Sequence, residues 1–355
     1  MTGRDCSKPI FLFTIAPQYG HLVEELDVDF WWGSCPTLNI LFGLAYLSNV
    51  RTVALPSMAH VREQLAKQAH VLVGNTPVES ASPAFVAGAL RRVAQHAKVV
   101  YFRPMDDLAD TISCIRGAGL TTLKLVLAKK DLPAVLETIH TCPNLRTLEI
   151  ATYGNENEHV FNNTASLPYP PHPTLRRLDI FDQTGGQGLY DFIHRFFPNL
   201  EELKISISAS GSIEIAHLAD LDRFILPQLQ QLEARSSLTF SAPLVRHISP
   251  STFPALQTCT WFLPYDGWPS LLEAFPAQVV DSIGHLRNHQ VGRAVPLKFT
   301  VDVGTEYNRA LLQPRLEAIG VTKIGVEQGG GGGGGIVIGF EAPSAAGDAE
   351  VVSHR

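Results

Sequence analysis

The chain has 355 residues, of which 45% are apolar and 17% charged, a balance that supplies ample material for a packed core. Its net charge of −6, with no Lys/Arg-rich stripe carrying interleaved aromatics, argues against a nucleic-acid partner. The five cysteines (Cys6, Cys35, Cys114, Cys142 and Cys259) are odd in number and never at metal-ligand spacing, which points to a reducing compartment.

In chain order, the apolar run 10–16 is too short to span a bilayer and reads as a strand, and nothing after it resembles a signal cleavage site. The expectation is a soluble chain of the cytoplasm or nucleus, with no membrane association. Residues 1–48 read as an aromatic-rich N-terminal cap. Residues 49–119 read as degenerate repeats, with weak strands at 50–55 and 99–102. There Ser82-Pro83, a cap followed by proline at the first helical position, opens a helix over 84–96. Asp106 opens a second over 107–116, which Gly117 stops. Asp131 caps 132–141, and 188–196 and 214–224 are amphipathic helices. Residues 265–328 continue with a helix over 270–287, bent at Pro276, and strands at 297–303 and 321–327. Residues 329–355 begin with seven glycines that form a linker. The apolar stretch 336–340 returns as one more strand, and a disordered tail follows from Ala342. Asn162-Asn163-Thr164 matches a glycosylation sequon, which carries no weight without a secretory signal.

The strongest signal is a repeat within 120–264. Residues 142–150, 173–180, 197–205, 226–234 and 253–261 share the frame Pro-x-Leu-x-x-Leu-x-Leu, as in Cys142-Pro143-Asn144-Leu145-Arg146-Thr147-Leu148-Glu149-Ile150. A sixth copy, Leu120, Leu123 and Leu125, lacks the proline. First leucines fall at 120, 145, 175, 200, 229 and 256, so the spacings are 25, 30, 25, 29 and 27. Those values sit at or near the top of the leucine-rich-repeat range of roughly 20–29 residues. The first leucine enters the core as the chain turns into a strand, and the next two point inward with a strand's period of two. The proline fixes φ and forbids helix just before it, sharpening the bend. Strand and helix alternating over short connections predict an α/β leucine-rich-repeat solenoid. Its open, curved parallel sheet lines the concave side through right-handed crossovers, and its helices line the convex side.

The proline-led frames resemble the leucine-rich-repeat domains of fungal F-box-type proteins, clearly over 120–262 and loosely over 50–326. The resemblance implies a protein-binding module. Two departures stand out. Regular repeats carry Asn or Cys a few residues after the third leucine, whereas Tyr153-Gly154, Gln183-Thr184 and Ser208-Ala209 offer no consistent Asn, which predicts a less uniform curve. The segment before Arg51 also does not read as an F-box, so binding to the Skp1 adaptor is implied only if a divergent F-box is present.

In such a solenoid the outward strand residues form the binding surface. The first row is Thr122, Thr147, Arg177, Glu202, Gln231 and Thr258; the second is Lys124, Glu149, Asp179, Lys204, Glu233 and Thr260. The third is Val126, Ala151, Phe181, Ser206, Arg235 and Phe262. Strands in register place Lys124 beside Glu149, and Lys204 between Asp179 and Glu233. This is either a self-satisfied charge ladder, each pair contributing about 0.2–1 kcal/mol, or a docking surface with Phe181 and Phe262 as apolar anchors. Trp261 is expected inward, although Cys259 replaces the second leucine of its frame.

Signals for chemistry are absent. No Gly-x-Ser-x-Gly elbow or catalytic cysteine context occurs. The glycine run lacks the Gly-Lys-Ser/Thr ending of a phosphate loop, and Gly185-Gly186-Gln187-Gly188 lacks the spacing of a dinucleotide loop. His285 and His289 lie four apart on a helix, but no nearby Asp, Glu or Cys completes a metal set by sequence, and a surface pair is the commoner case. His140 with Cys142, and His247, read as turn or core residues. The expectation is a non-enzymatic protein-binding module without cofactor or metal. The alternatives are an α/β enzyme with an unrecognised active site, or a fragment or paralogue with no retained partner.

Overall fold

The computed structural model describes residues 16–27, 46–63, 83–103, 105–152, 160–162, 164–183, 188–207, 221–236, 238–262, 274–289, 296–302, 306–318, 324–328 and 334–339. Two compact units divide the chain, Met1–Phe197 and Pro198–Arg355. The strand expected at 10–16 falls outside the described residues, except that Ala16 opens helix α1 (Ala16–Tyr19). The helix expected from 214 to 220 and the tail from 342 also fall outside them.

In the first unit six strands run parallel in chain order: β1 (Glu25–Asp27), β2 (Thr52–Leu55), β3 (Val99–Phe102), β4 (Thr122–Leu127), β5 (Thr147–Thr152) and β6 (Arg177–Asp182). The weak strand candidates at 50–55 and 99–102 are therefore strands. Helix α2 (Pro83–His96) precedes β3, α3 (Leu108–Ile112) precedes β4, α4 (Leu132–His140) precedes β5, and α5 (Leu189–Phe196) follows β6. The second unit starts with β7 (Glu202–Ile207), β8 (Gln231–Ser236), α6 (Leu238–His247), β9 (Thr258–Phe262), α7 (Ala274–Asn288) and β10 (Lys298–Asp302). Strands β7 to β10 are parallel in chain order. Helix α8 (Glu306–Ala318) then leads to β11 (Ile324–Gln328) and β12 (Gly334–Gly339).

The expected parallel pairing holds within β1 to β6 and within β7 to β10, and ends at the last two strands. Strand β12 lies between β10 and β11 and is antiparallel to both. The reason is chain length. Only residues 329–333 join β11 to β12, and a parallel return needs a crossover of a dozen residues or more.

The repeat frame holds its place on every strand it enters. All six first leucines, from Leu120 to Leu256, are fully buried. The second positions Leu123, Leu148, Leu178, Leu203, Leu232 and Cys259 are buried too, as are Leu125, Ile150, Ile180, Ile205, Ala234 and Trp261 at the third. Burying each large apolar side chain contributes roughly 1.5–3 kcal/mol, so these three columns dominate the cohesion of the strands. Small and large residues compensate: Ala234 stands in register with Trp261, which has Val301 on its other side.

The proline has a more specific role than breaking helix. The carbonyl before it accepts a hydrogen bond from the first leucine of the frame: Cys142 from Leu145 at 3.1 Å, Leu226 from Leu229 at 3.2 Å and Phe253 from Leu256 at 3.2 Å. Pro143, Pro227 and Pro254 thus occupy the second position of a four-residue turn, where a fixed φ is preorganised. One residue after the first leucine, a single carbonyl receives two N–H groups from the next strand's start. Arg146 accepts from Arg176 and Arg177, and Gln230 from Gln257 and Thr258.

Several caps differ from expectation. Asp131 precedes α4 but makes no side-chain cap bond, and its carboxylate is buried. Desolvation raises its pKa above the ordinary carboxylate value, against the opposing charge of Lys130 and a hydrogen bond from the Ala109 backbone. The helix expected over 107–116 is the short α3 followed by a 3-10 turn, Ser113–Ile115. Gly117 ends it with φ +72°, a conformation that favours glycine. Asp107, not Asp106, holds the N-cap position, and its Oδ2 instead accepts from the Ala59 backbone N–H at 2.7 Å and from Thr111 Oγ1 at 3.2 Å. Pro276 stands third in α7, in a first turn that needs no backbone donor there.

Candidate functional site

Strand alternation brings the outward residues into rows within each unit. In the first unit β4 and β5 follow a strict half-buried, buried alternation, which β6 shares except at the exposed Phe181: Thr122, Thr147 and Arg177 are register partners, as are Lys124, Glu149 and Asp179, and Val126, Ala151 and Phe181. Tyr101 of β3 joins the second row opposite Lys124, a member the leucine frame did not reveal because β3 lacks the frame. In the second unit the rows are Glu202, Gln231 and Thr258; Lys204, Glu233 and Thr260; and Ser206, Arg235 and Phe262.

The charge ladder forms within each unit. Lys124 Nζ lies 2.8 Å from Glu149 Oε2, and Lys204 Nζ lies 2.7 Å from Glu233 Oε2. Lys124 also sits over the Tyr101 ring, 5.1 Å from its centre. Partial burial would lower the Lys124 pKa, but the hydrogen bond and charge of Glu149, with Tyr101 and Asp179, hold it above the ordinary lysine value. The ammonium is therefore charged at neutral pH. Both pairs are about one-third exposed, so each contributes at most about 1 kcal/mol.

The two aromatic residues of the third row differ. Phe181 is 37% exposed, a large apolar ring left in water on a strand face. Phe262 is half-buried and lies under the Arg235 guanidinium, 4.5 Å from ring centre to Cζ. Arg235 is exposed, while Arg177, Asp179 and Glu202 are half-buried. The face therefore presents paired charges, threonines and one bare ring.

At the carboxyl ends of β5 and β6 the structure places a polar pair that the leucine frame did not disclose. Thr152 Oγ1 donates to Asp182 Oδ1 at 2.5 Å, and the Gln183 N–H donates to Thr152 Oγ1 at 3.1 Å. Both side chains are fully buried. The pair stands two residues beyond the third frame position and satisfies turn backbone, a task given in regular repeats to a stacked Asn. At the equivalent positions Leu127 and Ile207 are apolar and Ser236 is polar, so no regular sequence period marks it.

A cleft of about 330 Å³ opens in the first unit, where Leu55 ends β2 and Arg103 follows β3. Ser57, His60, Asp106 and Asp107 line it as well. These groups are engaged in holding the chain. Met58 N–H donates to Thr111 Oγ1, Ala59 N–H to Asp107 Oδ2, and His60 N–H to Ser57 Oγ. The cleft closes a helix start with side-chain acceptors.

Cys114, Cys142 and Cys259 are buried thiols, none in a disulfide, and burial raises the pKa of Cys114 and Cys142. A raised thiol pKa disfavours the reactive thiolate. Among the described residues no group of three or more His, Cys, Asp or Glu is placed to hold a metal ion, and no helix is long and apolar enough to cross a membrane. His247 bonds the Phe224 carbonyl and packs edge-on against Phe253, and His140 bonds the carbonyls of Leu136 and Pro170.

His172 gives this unit a pH dependence. It is buried, with Nε2 on the Ile139 carbonyl at 3.0 Å and Nδ1 without a partner. Desolvation chiefly, aided by His140, lowers its pKa below 6.5. The folded state thus stays neutral where the unfolded chain takes up a proton. The stability this provides is complete above pH 6.5 and is lost as pH falls toward the folded value, by up to about 1.4 kcal/mol per pH unit. Urea midpoints at pH 7.5, 6.5 and 5.5 should fall for the wild type and fall less steeply for His172→Gln. Equal slopes would reject the assignment.

Compared with known proteins, the chain matches no family model and no curated protein.

Proposed function

We propose that the chain is a leucine-rich-repeat-type solenoid that binds a protein partner through the outward face of its parallel strands and catalyses no reaction. The observation that carries this reading is the frame itself. In both units it sets the same turn, the same shared carbonyl and the same three buried columns. That regularity leaves three rows of side chains in register on a face with no core of its own to bury. Phe181 is the natural anchor, since aromatic residues at interfaces supply much of the affinity. The narrower form, an F-box-like substrate receptor engaging the Skp1 adaptor, rests on the resemblance of the proline-led frames alone.

The test is capture of partners by the tagged full chain from its native cells, with Phe181→Ala plus Lys204→Glu as the face variant and Glu137→Ala, on α4, as the control. The face variant should fold with a stability change near or below about 1 kcal/mol and lose the captured protein, while the control retains it. Co-purification of Skp1 and a cullin in near-equal amounts supports the narrower form. A partner retained by the face variant and lost by the α4 variant overturns the proposal.

A further inference from the structure

Helix α7 carries Asp281 and His285, and His289 follows its last residue with its N–H still on the His285 carbonyl, so the three stand at intervals of four on one face. Arg246, on α6, takes Asp281 as its partner, with Nη2 to Oδ2 at 2.5 Å. The two histidines are exposed at the end of that face, with ring centres 4.1 Å apart and planes within 27° of parallel. The backbone orients one of the rings: His289 Nδ1 donates to the His285 carbonyl at 2.8 Å. A neutral imidazole that donates from one nitrogen keeps a lone pair on the other. The pair therefore presents imidazole donors from adjacent rings, one of them steadied by the outer-shell carbonyl that metal-bound histidines commonly use.

The separation suits a chelate. An ion bound at about 2.0–2.1 Å to each of two imidazole nitrogens in tetrahedral geometry needs them about 3.3 Å apart. Rings whose centres lie 4.1 Å apart meet that requirement when the exposed side chains rotate so that both ring planes turn toward one ion. We propose that His285 and His289 form a solvent-open, two-nitrogen site for a borderline divalent cation of the zinc, nickel or copper class, with water completing the coordination. Imidazole donors without thiolate or carboxylate select that class over magnesium or calcium. The Arg246 charge opposes a dication, and its ion pair with Asp281 offsets much of that opposition. Sequence alone disfavoured a metal here because it found no third ligand. The adjacency of the rings and the carbonyl anchor of His289 are what the structure adds, and the inference does not depend on how the strand face is used.

The experiment is titration of the full chain, without a polyhistidine tag, with zinc chloride and separately with nickel chloride against a chromophoric chelator at pH 7.5. His285→Gln, His289→Gln and, as control, His96→Gln are titrated alongside, with circular dichroism confirming that each folds. One equivalent should be weakened about a hundredfold in either α7 variant, since each imidazole raises the local concentration at which the other binds, and the control should match the wild type. Copper(II) electron spin resonance should show coupling to two equivalent-type nitrogens in the wild type and lose one in each variant. Binding unchanged in both α7 variants, or no equivalent bound by the wild type, overturns the site.

Discussion

Trp261→Ala is expected to destabilise the second unit by about 3–5 kcal/mol, the range for emptying a large aromatic site in a packed core. Trp261 is fully buried, its ring centre lies 6.4 Å from that of Phe299, and it fills the space beside the small Ala234 and Val301. Its indole Nε1 has no hydrogen-bond partner, so the whole contribution is packing. Trp261→Phe should therefore cost far less than Trp261→Ala, because it removes an unpaired buried N–H along with part of the ring. Ala234→Leu should cost about 1–3 kcal/mol by overfilling the same space, and combined with Trp261→Phe it should cost less than the sum of the two. Urea unfolding followed by far-UV circular dichroism reads all four. A Trp261→Ala loss below 1 kcal/mol would mean that the ring lies outside the core.

Thr152→Val carries the second large effect, about 2–4 kcal/mol, at nearly constant side-chain volume. The substitution removes the donor to Asp182 Oδ1 and the acceptor of the Gln183 N–H in one step. Asp182 is in the interior and Gln183 is half-buried; a buried polar group deprived of a hydrogen bond costs about 1–3 kcal/mol and a charge more. Thr152→Ser keeps the hydroxyl and should recover most of the loss, which separates hydrogen bonding from packing. Replacing both partners, Thr152→Val with Asp182→Leu, should be less damaging than Thr152→Val alone, since no buried carboxylate is then left without its donor. Unfolding midpoints in the order wild type, Ser, double variant, Val would support the account. A Thr152→Val protein as stable as the wild type would refute it.

What the sequence disclosed and what it hid follow from one distinction. A strand's period of two is local, so Leu145, Leu148 and Ile150 declare which face is inward, and Lys124, Glu149 and Phe181 which is outward. Trp261 could be placed inward by the same count, although Cys259 breaks the leucine pattern beside it. Interactions that depend on which strand lies next to which are not local. Thr152 and Asp182 are 30 residues apart and meet only because β5 and β6 pair in register. Tyr101 joins the outward row for the same reason, through a strand that lacks the frame. Cap chemistry failed at Asp131 because tertiary burial, with a hydrogen bond from Ala109, outweighs the preference of Asp for a helix start. At the C-terminal end the apolar stretch after the glycines was legible as a strand, but its direction depended on the brevity of the linker and not on its own residues.

The central claim is that the strand face is the recognition surface, and residue-level footprinting of the captured complex tests it most directly. Lysine acetylation and carboxyl labelling, read by mass spectrometry with and without partner, report on Lys124, Glu149, Asp179, Lys204 and Glu233 on the face, and on Glu137 and Asp281 on α4 and α7. The account predicts reduced labelling of the face residues in the complex and unchanged labelling of Glu137 and Asp281. Protection confined to the two helix residues, with the strand face labelled as in the isolated chain, would contradict it.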